Sequence, residues 1–210
     1  MALYHSRVPS GAEVTPESLT AMRAEIPAAT RLLPPTAALD VIGYACTSGA
    51  TVIGEAAVAA AVRSVRPEVA VSDPLTAAKA ACRSLGVARL GFVTPYVAAV
   101  SAAMRRKLEE AGLEIAAFAS FEESEEAVVA RIAPASVLDA LLRVGAAPDC
   151  EAVFASCTNL RASGVIAEAE SRLGKPVLTS NQALAWHMLR LAGLPDGLPA
   201  GGSLFRCPLP

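Results

Sequence analysis

The chain has 210 residues, 53% of them apolar and 18% charged, with a formal net charge of −2. That length supports a sizeable core in one large or two small domains. No basic stripe offers itself to a phosphate backbone, which excludes nucleic acid as an expected partner. No run of about 18 apolar residues is free of charges or breakers, so no membrane span is expected.

The first residues, MALYHSRVPSGAEV, lack the charged start and apolar run of a signal peptide, and the expected compartment is the cytoplasm. Five cysteines without a CxxC pair speak against a disulfide framework and a zinc site. His5 and His187 are the only imidazoles, so metal ligands are few.

In chain order, the pattern predicts a buried strand over 40–45, a turn at Cys46-Thr47-Ser48-Gly49, and a helix over 52–65. A short strand follows over 68–71, then a helix over 74–85 opened by Pro74 and stopped by Gly86. A strand over 88–93 leads to Thr94-Pro95-Tyr96, which opens a helix to about 111. Next come a strand over 113–119, a helix over 134–144 and a strand over 151–155 ending at Ser156-Cys157-Thr158. A helix over 164–173, a strand over 176–178 and a helix over 181–191 capped by Ser180 or Asn181 complete the core. The Pro/Gly-rich tail over 195–210 reads as irregular.

Strand and helix alternate, which predicts an α/β fold with parallel sheets and helices on both faces. Ligands of such sheets bind beyond the carboxyl ends of strands. Two strands end alike there: VIGYACTSG and AVFASCTNL each carry a Cys-Thr pair before an expected helix. A thiol at a strand-to-helix turn faces free backbone N–H groups and the positive end of a helix dipole, which favour thiolate. The same donors, with the hydroxyls of Thr47, Ser48 and Thr158, can hold a carboxylate. Two thiols flanking one carbon can move a proton, or one can add to a double bond. The plain alternative is that both cysteines are core-packing residues. Packing is the reading for Cys82 and Cys150, and helix packing for His187.

The stretches DVIGYACTSGATVIGE, FVTPY and SCTNL followed by LGKPVLTSNQALAWHMLRLAG resemble the aspartate/glutamate racemase superfamily, in particular maleate cis-trans isomerases. The resemblance extends over about 6–193 and includes arylmalonate decarboxylases and proteins of ectoine utilisation. It implies two Rossmann-like halves with a cleft between them, 1–75 with 181–210 forming one and 76–180 the other. It implies no PLP, metal or nicotinamide cofactor, a small carboxylic acid as substrate, and a dimer or tetramer of identical chains. By that resemblance Cys46 is the nucleophile and Cys157 its acid/base partner, while Tyr96, Thr47, Ser48 and Thr158 hold a carboxylate. Arylmalonate decarboxylases keep only the second cysteine; amino-acid racemases keep both, so two-thiol racemisation stands as an alternative, as does decarboxylation.

Two features depart from the family. LYHSRVP (residues 3–9) stands where the family has its second strand, so a first strand at the centre of that half, and its substrate-binding asparagine, are expected to be missing from the 210 residues. Glu126 stands near a substrate-binding asparagine, where a carboxylate repels a dianion. These departures favour a further alternative, a binding or regulatory protein on an enzyme scaffold. Arg7 is a weaker candidate for a substrate carboxylate, with a surface role as its plain reading. The acidic run at 122–126 reads as a solvated helix start.

Overall fold

A computed structural model describes residues 1–195, 197 and 201–210. An α-helix not anticipated from the sequence comes first: α1, Pro16–Arg31. Its start is nonetheless written in the chain. Thr15 caps it by accepting from the Ser18 N–H, the Ser18 hydroxyl accepts from the Thr15 N–H, and Pro16 fills the first turn. Leu19, Met22 and Ile26 form its buried face.

Strand β1 (Val41–Gly43) pairs in parallel with β2 (Ala70–Ser72) as a two-stranded sheet. Between them the single helix expected over 52–65 is two: α2 (Thr47–Ile53) and α3 (Glu55–Arg63). Gly54 separates them at φ +91°, ψ 135°, a conformation that suits glycine and ends the first hydrogen-bonded run. The first helix also starts earlier than expected, directly after Cys46. Helix α4 (Pro74–Leu85) is capped by Asp73, which accepts from the Leu75 and Thr76 N–H groups at 2.8 and 3.0 Å, and ends at left-handed Gly86.

The second sheet has four parallel strands in the order β4-β3-β5-β6: β3 Arg89–Tyr96, β4 Glu114–Glu123, β5 Ala152–Ala155 and β6 Val177–Thr179. Strand β3 runs through Tyr96, so Thr94-Pro95-Tyr96 belongs to the sheet and α5 (Ala98–Glu109) begins later. A one-turn helix α6 (Glu126–Val129), α7 (Pro134–Gly145), a 3-10 turn (Ser163–Val165) with α8 (Ile166–Leu173), and α9 (Ser180–Leu191) complete the order. The expected α/β architecture of parallel sheets is thus present. Phe92 and Phe154 stack at 5.9 Å in its fully buried centre, beside Leu90, Val153 and Leu178. Helices α4 and α9 pack together and join the two sheets. A Cβ at Gly43 would collide with the Met188 sulfur, so glycine lets β1 approach α9 closely.

Two expectations are corrected here. LYHSRVP forms no strand: residues 1–10 have no ladder partner, and Leu3 is 77% exposed. An extended segment becomes a strand only beside another. The tail, for its part, is packed. Ser203–Arg206 make a 3-10 turn that buries Leu204 and Phe205. The Trp186 indole N–H and the Arg190 guanidinium both donate to the Cys207 carbonyl, at 2.9 and 3.0 Å. Residues 196 and 198–200 of the expected irregular stretch lie outside the described residues. Leu204 and Phe205 dock it together with hydrogen bonds from Gln182 to the Gly201 carbonyl and from Ser203 to Glu170. Phe205→Ala is therefore expected to cost roughly 3–5 kcal/mol, the usual range for emptying a buried aromatic site, measured by denaturant unfolding. A change within 0.5 kcal/mol, the range of surface substitutions, would show the tail to be energetically idle.

His187 packs as expected, with Nδ1 2.7 Å from the Ser72 hydroxyl in the buried face of α9. Among the described residues, no helix is long and apolar enough to cross a membrane.

Candidate active site

Cys46 is the N-cap of α2. Its Sγ accepts from the Gly49 N–H at 3.3 Å and lies 3.6 Å from the Ser48 hydroxyl. The fit requires glycine at 49: a Cβ there would collide with the Tyr44 hydroxyl and stand 3.0 Å from the Cys46 sulfur. Cys157 follows β5 in a different way. No helix begins directly after it: residues 158–160 form bends, and the helix expected over 164–173 follows as the 3-10 turn and α8. Its donors come from a tight loop, with the Asn159 N–H at 3.2 Å from Sγ and the Leu160 N–H beside it. Cys157 takes φ +147°, rare for a non-glycine residue and costing on the order of 1–3 kcal/mol.

The two turns are stitched together. Ser180 Oγ accepts from both the Thr47 hydroxyl (2.8 Å) and the Cys157 N–H (3.0 Å). The Thr158 hydroxyl donates to the Ala45 carbonyl at 3.0 Å, and Asn181 Nδ2 donates to the Thr158 carbonyl at 2.8 Å. Ser180 is free for this because Thr179, not Ser180 or Asn181, caps α9, in a reciprocal pair with Gln182. Tyr96, 2% exposed at the end of β3, brings its hydroxyl beside Cys157 and Ser48 and near Cys46. Glu126, at the start of α6, accepts from Asn159 Nδ2 at 2.6 Å.

Of the expected carboxylate donors, Thr47 and Thr158 have their hydroxyl protons committed to Ser180 and Ala45. The backbone N–H groups of Thr47, Ser48 and Thr158 donate to no acceptor among the described residues. They make a set of donors suited to an anion, while the hydroxyls of Ser48 and Tyr96 bond to the two sulfurs. Arg7 is exposed on the N-terminal arm and makes no hydrogen bond or ion pair among the described residues. Ser180, Asn159 and Tyr44 are site residues that the sequence reading did not single out; the SNQ run after β6 carried the only trace of the first.

The electrostatics overturn one expectation. Both thiols are held above the ordinary value rather than below it. Burial dominates for Cys157, 3% exposed and pushed up to about 11, and for Cys46; the negative charge of Glu126 adds to each. Hydrogen bonds from Ser48 and Gly49 to Cys46, and from Tyr96 and Asn159 to Cys157, oppose the rise without cancelling it. Cys82 is fully buried and pushed up to about 12 by burial alone in the main, as a packing thiol should be. A surface hollow of about 480 Å³, lined by Thr20, Ala24 and Ala57, lies between α1 and α3 and does not touch the cysteines.

Two Cys-Thr turns at the carboxyl ends of strands from two parallel sheets are in keeping with the Asp/Glu racemase-like superfamily. A profile of the arylmalonate decarboxylase family matches residues 14–205, and the chain belongs to that family. Arylmalonate decarboxylase of Bordetella bronchiseptica is 35% identical over 112 residues, 53% of this chain and 47% of that enzyme, so this match spans about half the length of each. Maleate isomerase of Pseudomonas putida is 28% identical over 212 residues, covering 96% of this chain and 83% of the enzyme. Among solved structures, a cysteine-to-serine mutant of Nocardia farcinica maleate cis-trans isomerase, carrying a covalently bound succinylcysteine intermediate, aligns with a TM-score of 0.84 at 27% identity. That alignment covers 93% of this chain and 82% of the other.

Proposed function

We propose that this protein is a cofactor-independent isomerase of small unsaturated carboxylic acids, working by thiol addition and elimination. The observation that carries this reading is the stitching of two cysteine turns by Ser180 and Thr158, with the Tyr96 hydroxyl beside Cys157 and unengaged N–H donors around them. The working form holds one thiolate and one thiol. Cys46 thiolate adds to one alkene carbon, forming a C–S bond while the π pair moves to the neighbouring carbon. Cys157 gives its proton to that carbon and becomes the thiolate. The former double bond is now single and rotates. Cys157 then takes a proton back, the C–S bond breaks, and the trans alkene forms with both sulfurs in their starting states. The N–H groups of Thr47, Ser48 and Thr158 hold a carboxylate throughout and stabilise charge that spreads onto it. The succinylcysteine adduct of the Nocardia relative supports the addition step.

Proton NMR of the protein with cis-unsaturated C4 acids tests the proposal. The expected result is loss of the cis vinyl signal and growth of the trans signal, absent in Cys46→Ala. Conversion by Cys46→Ala at the wild-type rate would refute it.

The family profile favours a second reading, decarboxylation of a substituted malonate. Cys157 alone would then deliver the proton, and Cys46→Ala would retain release of carbon dioxide.

A further inference from the structure

Two kinds of group surround the sulfurs. One is a set of donors, the N–H groups of Thr47, Ser48 and Thr158. The other is the carboxylate of Glu126. Asn159 joins this carboxylate to the reacting pair, since its backbone N–H donates to Cys157 Sγ at 3.2 Å and its side-chain Nδ2 donates to Glu126 Oε2 at 2.6 Å and to the Glu126 carbonyl at 3.0 Å. The amide thereby holds Glu126 in place within one side-chain length of the sulfur. Among the described residues no lysine or arginine forms an ion pair with Glu126, and its Oε1 accepts no hydrogen bond. The charge is felt at both sulfurs, where it opposes thiolate formation. It would oppose a second substrate carboxylate for the same reason, and the free oxygen of this half-buried carboxylate can accept from a ligand N–H group in place of water.

We infer that Glu126 selects ligands that carry one carboxylate and, in place of a second, an N–H donor. The carboxylate sits on the Thr47–Ser48–Thr158 donors, and the N–H group faces Glu126 Oε1. This rests on Cys46 and Cys157 being the reacting pair and refines which acid they act on. A second carboxylate on the ligand meets like charge. A half-amide or an amino acid meets an acceptor.

Protection of Cys46 from iodoacetamide, read by mass spectrometry of the Cys46 peptide, tests binding without requiring turnover. The probes are maleate, its half-amide and β-alanine, which carries one carboxylate and an ammonium, each titrated against wild type and Glu126→Gln. In wild type, the half-amide, β-alanine or both are expected to protect at concentrations at least about tenfold below maleate. Protection by the half-amide identifies an amide donor, and protection by β-alanine an ammonium. In Glu126→Gln the order should reverse, with maleate gaining about tenfold or more as the like charge is removed. Maleate protecting wild type as well as the N–H-bearing probes would overturn the inference, as would an unchanged order in Glu126→Gln. Failure of the isomerase reading would appear separately, as absence of cis-to-trans conversion while the order of protection holds.

Discussion

Cys157→Ser is expected to lower turnover about 10³-fold, the scale on which general acid/base catalysis acts, and to leave the substrate bound to Cys46. Serine keeps the size and the hydrogen bond from the Asn159 N–H but is a far weaker acid and base in the same position. The adduct carbon takes its proton from serine or water, and no group strong enough to remove it again remains, so elimination stalls. Intact-protein mass spectrometry should show one substrate mass added, and peptide mapping should place it on Cys46. Cys46→Ala should show neither turnover nor adduct. Wild-type rates in Cys157→Ser, or an adduct on Cys82, Cys150 or Cys207, would remove the two-thiol mechanism.

The activity should climb with pH well past neutrality. Burial and Glu126 both hold the thiols protonated, with Cys157 pushed up to about 11 and Cys46 raised as well. The working form needs one thiolate, so below these values kcat/KM should rise about tenfold per pH unit. Glu126→Gln removes a charge that disfavours thiolate, and the rising limb should move to lower pH. A profile flat from pH 6 to 9 would show that thiolate formation does not limit the reaction. Stability moves the other way. The folded chain keeps the Cys157 proton where the unfolded chain, at the ordinary value of 9.0, loses it. The stabilisation is therefore complete below pH 9 and declines as pH rises toward about 11. Unfolding midpoints across that window should fall less steeply in Cys157→Ser than in wild type.

Much of the scaffold was legible before any coordinates. Alternating β-branched runs and alanine-rich amphipathic segments announce parallel sheets, because strands buried on both faces must be continuously apolar. Cap and stop residues at Asp73, Pro74 and Gly86 bracket α4 for local reasons alone. Helix α1 was equally local, through Thr15, Pro16 and Ser18, and went unread although its signal was present. The splitting of the 52–65 segment was also local in origin, yet a lone glycine inside a helical pattern is compatible with either outcome.

The amino-acid sequence by itself determined the order of strands and helices, the carboxyl-edge position of Cys46 and Cys157, and the membership of the chain in its family, since these depend on periodicity, turn chemistry and motif. Only the tertiary structure decided that Ser180 ties the two cysteine turns together across 133 positions of sequence from Thr47, that Asn159 holds Glu126 beside the sulfurs, and that the thiols are disfavoured as thiolates. Such contacts depend on which atoms meet from distant segments. The same tertiary burial that brings them together withdraws water from them, and the loss of hydration outweighs the local donors that the turn sequences supply.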